Sequence, residues 1–201
     1  MDKRLRELGE EVTACPARRR CPGVLQGRLA NDPSGGIPPR GLFIRPCTAA
    51  LEDVEVVVLG LNPGRADEQE RGRLQEASSK YPTRLFRYVH AETIFEMRRW
   101  KYWRRIDNLL GLLGFRPGAH VVLAAELVFC ECEKPPRPPP GNRPKRVQVG
   151  RPAINFCSGL YLEKVMPLLP ANPLLIAVGG QARDWIRRSR WSDTFFSAHQ
   201  K

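Results

Sequence analysis

Three short apolar runs, each far apart in the chain and separated by segments of helical pattern, constrain the fold most. Val54–Leu59 (VEVVVL), Val121–Phe129 (VVLAAELVF) and Leu174–Val178 (LLIAV) are too short for membrane spans and nearly continuous in apolar character. Such runs suit strands covered on both faces, as in a parallel sheet. Between the first two, residues 68–114 are mostly helical in pattern. Ile106, Leu109, Leu110 and Leu113 fall on one helix face, and Gly114 is a natural stop. A further helix is expected near Gly159–Leu169, and another near Gln181–Arg188. Thr194–Ala198 (TFFSA) reads as a fourth strand, and Leu5, Leu8 and Val12 place an amphipathic helix over 1–12. Strands alternating with helices predict an α/β fold, a three-layer αβα sandwich around a short, mainly parallel sheet. Residues 13–50 read as an irregular Cys/Pro/Gly-rich segment and 133–156 as a Pro/Arg-rich loop. With 201 residues the chain is expected to be one domain.

Charge narrows the partner. Lys plus Arg number 33 against 21 Asp plus Glu, a formal net charge of +12, which favours a polyanion such as nucleic acid. Lys134, Arg137, Arg143, Lys145, Arg146 and Arg151 follow Glu133 with no acid among them, and Arg143, Lys145 and Arg146 are the prime DNA contacts. Residues 98–105 interleave basic side chains with Trp100, Tyr102 and Trp103. That pattern fits either a nucleic-acid face or a solvated helix whose aromatics pack inward. The N-terminus lacks the apolar core of a secretory signal, so a cytoplasmic, non-membrane protein and a monomer are expected. In that compartment the six cysteines read as thiols or metal ligands.

In parallel sheets, sites form beyond the carboxyl ends of the strands. Gly60-Leu61-Asn62-Pro63-Gly64 leaves the first strand there. The glycines permit a sharp turn and close backbone approach to a ligand, and Pro63 biases Asn62 to an extended conformation. An ordinary turn would use the same residues. Asn62 both donates and accepts, so it is fit to orient a water or read a base edge.

VLGLNPG resembles the first motif of the uracil-DNA glycosylase superfamily, in its mismatch-specific and single-strand-selective branches. The order Glu126–Cys130 (ELVFC), PPPGNRP at 138–144, Cys157 and the following helix and strand is similar to the iron–sulfur branch. The resemblance spans most of 15–199. It implies base excision from DNA, with Asn62 positioning the hydrolytic water and His199, after the last strand, hydrogen-bonding the departing base. It implies a base pocket of Gly60, Leu61, Pro63, Gly64 and an aromatic, Phe86 being preferred to Tyr81 and Tyr88. It also implies a [4Fe-4S] cluster on Cys15, Cys21, Cys130 and Cys157, with Cys132 as rival to Cys130.

The chain departs from the pattern in four places. The first cysteine pair is CxxxxxC rather than CxxC, the second cysteine gap is longer than the family's, and no Pro-Ser follows His199. Glu126 stands where the family reads uracil with an Asn; a carboxylate there only accepts, and would either select an amine or N–H or serve as a structural partner for a nearby Arg. The expected function is a DNA glycosylase acting on a flipped, deaminated base. The alternative is a non-catalytic nucleic-acid-binding protein on the same scaffold.

Overall fold

A computed structural model describes residues 1–15, 38–61, 67–97, 101–116, 118–130, 149–189, 191 and 195–198. The first helix, α1 (Lys3–Thr13), is capped by Asp2, whose carboxylate accepts from the Arg4 and Leu5 N–H groups at 2.7 and 3.1 Å. Then come β1 (Phe43–Arg45), β2 (Val56–Gly60), α2 (Glu68–Lys80), α3 (Leu85–Met97), α4 (Lys101–Leu112) and β3 (Val122–Glu126). The chain continues through α5 (Arg151–Cys157), a π-helical turn (Ser158–Leu162), β4 (Leu174–Val178), α6 (Gly180–Arg188) and β5 (Phe195–Ala198).

The described strands form one sheet in the order β1-β3-β2-β4-β5. β3, β2, β4 and β5 are parallel and β1 runs antiparallel on the β3 edge. Side-chain alternation divides the core in two. Val57, Leu59, Leu123, Ala125, Leu175 and Ala177 face α1, α5 and α6, while Val56, Val58, Val122, Ala124 and Ile176 face Trp103, Ile106 and Leu110 of α4. Helices therefore cover both faces of a mainly parallel sheet, the α/β sandwich the apolar runs predict. Among the described residues no helix is long and apolar enough to cross a membrane.

Three differences from the sequence reading are local. β1 lies inside the segment read as irregular. At three residues it is too short to display a period, and it is bounded by Gly41 and Pro46. α5 begins at Arg151, within the stretch read as loop, because Pro152 sits in the first helical turn, where its missing N–H costs nothing. β3 is shorter than the apolar run and stops at Glu126, although Leu127 and Val128 still donate to the Gly60 and Leu61 carbonyls, both at 3.0 Å.

Buried His90 joins α3 to the edge strand, its Nε2 accepting the Ile44 N–H at 3.2 Å. Burial pushes its pKa down to about 4, so the ring is neutral at pH 7. Beside it Phe86 packs edge-on, with ring centroids 5.6 Å apart, and covers Gly9 of α1. A Cβ at Gly9 would lie 2.3 Å from a Phe86 ring carbon. Gly9→Ala is therefore expected to cost about 1–3 kcal/mol of stability through overpacking, measured by denaturant unfolding.

Candidate active site

The site begins with two adjacent strand ends. β2 and β3 are in parallel register with Gly60 opposite Glu126, the last residue of each. Both positions lie on the face turned to α4, since Val56 and Val58 precede Gly60 there and Val122 and Ala124 precede Glu126. Gly60 makes room for its neighbour: a Cβ there would stand 2.1 Å from Glu126 Oε2. The carboxyl thus lies over the Gly60 backbone, and Leu61, partly exposed, is the last described residue before Asn62.

Glu126 is buried, and its Oε2 has no hydrogen-bond partner among the described residues. Burial pushes its carboxyl up to about 8, against the opposing pull of Arg40. Raised this far, the side chain as a carboxylic acid carries one donor and one acceptor, where the carboxylate read from the sequence only accepts. Tyr102 of α4 feels the same site, its hydroxyl pushed up by burial and by Glu126.

Arg40 precedes β1 and is 2% exposed. Its N–H donates to the Phe129 carbonyl at 2.6 Å, and its Nε stands 3.3 Å from Oε1 of the equally buried Glu70. Glu70 lies in the first turn of α2, whose cap Asp67 accepts the Glu70 N–H at 2.8 Å. This pair ties the start of α2 to the chain leaving β3. Sequence reasoning missed Arg40, and it placed Tyr102 only within the basic, aromatic stretch 98–105. Arg40 lies in a turn-rich run, and Glu70 reads as one of several acids at a helix start.

Three of the four proposed cluster ligands come together in part. Cys15 follows α1, Cys130 follows β3, and Cys157 ends α5; all are buried. All three bear on one phenol. The Tyr161 hydroxyl donates to the Glu11 carbonyl at 3.3 Å, and it is pushed up by burial, by a hydrogen bond with Cys15 and by the charges of Cys157 and Cys130. Tyr161 lies one helical turn past Cys157, a spacing the sequence does display. Among the described residues no three of His, Cys, Asp and Glu are arranged as a metal's ligand set. Thiols are the donors that an iron–sulfur cluster takes, and it needs about four converging in space. Cys21 and Cys132 lie outside the described residues, and Cys47 is exposed.

Phe86 is 1% exposed and belongs to the core between α1 and α3. Tyr81 and Tyr88 instead stack on each other at the surface. In α4 the two readings of 98–105 divide by residue. Trp103 is buried against Phe43, with centroids 4.9 Å apart, while Arg104 and Arg105 are exposed; 98–100 lie outside the described residues. So do Asn62, Pro63, Gly64, Arg143, Lys145, Arg146 and His199, the last being the residue after β5. Compared with protein-family models, curated proteins and solved structures, the chain matches none.

Proposed function

We propose that this chain is a DNA glycosylase that hydrolyses the N-glycosidic bond of a flipped, deaminated base. The reading is carried by the Glu126 carboxyl, buried with its Oε2 lacking a hydrogen-bond partner among the described residues, over Gly60 at the carboxyl ends of adjacent parallel strands. A folded protein tolerates such a group mainly where something else uses it. As an acid, Glu126 offers a donor and an acceptor side by side, the complement of a lactam edge. Deamination creates that edge, placing an N–H beside a carbonyl in uracil and hypoxanthine. Base extrusion would bring the edge to Glu126. Asn62 would hold the attacking water, and the N–H groups of Gly60–Gly64 with His199 would stabilise charge on the departing base. Arg143, Lys145 and Arg146 would contact the phosphates.

In this reading Cys15, Cys21, Cys130 and Cys157 hold a [4Fe-4S] cluster. When bound, it supplies a cross-link between α1, the exit of β3 and α5, and takes no part in hydrolysis.

The test is a panel of oligonucleotides containing uracil, hypoxanthine or no modification, incubated with the purified protein and cleaved by alkali. Strand scission at a deaminated base is the expected result. Salt-sensitive binding with no abasic product would replace the reading with that of a non-catalytic nucleic-acid-binding protein.

A further inference from the structure

The corner between α2 and α3 carries an aromatic feature that the strand ends do not use. Tyr81 ends α2, its N–H donating to Ala77 at 2.9 Å, and Tyr88 lies in α3 beyond the turn Pro82–Arg84. Their rings are 4.2 Å apart and only 10° from parallel. Each residue is 41% exposed, and among the described residues this is the ring pair with both members exposed. The rings are not needed to seal the helix contact, since Leu74, Ala77, Leu85 and Val89 already form a buried cluster beneath. Together with Arg73 and Lys80 they line a cleft of about 240 Å³. Arg6, Arg84 and Arg87 line a second cleft, of about 490 Å³. The acids lining the clefts are engaged: Glu76 pairs with Lys80 at 2.5 Å, and Glu10 accepts the Phe86 N–H at 3.2 Å. Five cations against two acids leave a positive field beside two exposed π faces.

We propose that the α2–α3 corner is a second contact surface for single-stranded DNA, on which one unpaired base extends the Tyr81–Tyr88 stack while Arg84 and Arg87 hold flanking phosphates. The physical basis is the pairing of sequence-tolerant stacking with charge along a backbone. Neither cleft includes a residue of β2 or β3, so a strand held here would approach the excision site from outside it. The choice of DNA among polyanions rests on the excision reading, whereas the binding does not.

The experiment is fluorescence anisotropy of a labelled oligothymidylate of about 12 nucleotides, titrated with the full chain at several salt concentrations. Y81A/Y88A is expected to weaken binding by at least about fivefold, and Y81F/Y88F, which keeps the rings, to bind within about twofold of the wild type. R84A/R87A is expected to reduce the slope of log K against log salt by about 0.7 for each phosphate that the missing arginines would have neutralised. Thermal melts check that each variant is folded. Should Y81A/Y88A fail to fold, Y88S and R84A/R87A carry the test. Unchanged affinity and salt slope in folded variants would overturn the proposal. The alkali assay on the wild type separates the two ideas: tyrosine-dependent binding without abasic product would remove the glycosylase and leave this surface standing.

Discussion

Asn62→Ala is expected to reduce excision from a uracil- or hypoxanthine-containing oligonucleotide by a factor on the order of 10²–10⁴, the range spanned by removal of a positioned acid–base group, while binding changes only a few-fold. Two features make the expected loss large. Asn62 follows Leu61 at the end of β2, which is held in the middle of the sheet by β3 on one side and β4 on the other. Leu61 is tied to the neighbouring chain through its carbonyl, which accepts the Val128 N–H at 3.0 Å. In addition, Pro63 narrows the backbone choices of Asn62. A carboxamide whose backbone choices proline narrows would lose less entropy on orienting a water, and alanine has nothing to replace it. Single-turnover kinetics with enzyme in excess isolates the chemical step. Full activity in the variant would take Asn62 out of the mechanism.

Much of this organisation is legible in the chain, for identifiable reasons. A parallel strand buried on both faces writes a continuous apolar run, so VEVVVL and LLIAV announce β2 and β4. The spacing of Ile106, Leu109 and Leu110 announces α4, because one stripe must meet the sheet. β1 leaves no such mark: three residues hold one and a half periods, and their burial depends on β3, some 80 positions away. The site is legible only where backbone chemistry writes it, at GLNPG. Arg40 and Glu70 look like surface charges until the fold removes both from water and sets them 3.3 Å apart. Phe86 and Tyr161 illustrate the same limit. One looks available for stacking but is core; the other is core and also hydrogen-bonds the Cys15 thiol. In each case the deciding fact is a partner distant in sequence.

Glu126 yields the second large effect, because its protonation is coupled both to folding and to the edge it presents. Its folded pKa, about 8, lies above the ordinary 4.5, so between those values the folded chain binds more protons than the unfolded one. Stability from this group is whole below pH 4.5, falls as the pH rises, and is lost beyond about 8. At about 1.4 kcal/mol per unit, the loss on going from pH 5 to pH 9 is on the order of a few kcal/mol. Glu126→Gln keeps the shape and the paired donor and acceptor but cannot ionise. The variant is expected to gain stability over the wild type steadily across that range, with the two nearly equal at pH 5, as read from denaturant unfolding at each pH. Excision should follow the same titration. The ionised wild type loses its donor toward the base carbonyl, and its activity on uracil should fall above pH 8 while that of Glu126→Gln persists. Glu126→Ala, lacking both groups, should be poor at every pH. Arg40 and Tyr102 are the charged and titratable groups that bear on this carboxyl among the described residues. Burial holds the Tyr102 hydroxyl protonated well above this range, so Glu126 is the group of the two that changes state. A stability difference between wild type and Glu126→Gln that did not vary with pH would show that the carboxyl is already ionised at neutral pH. The site would then present only acceptors and select an amine instead of a lactam.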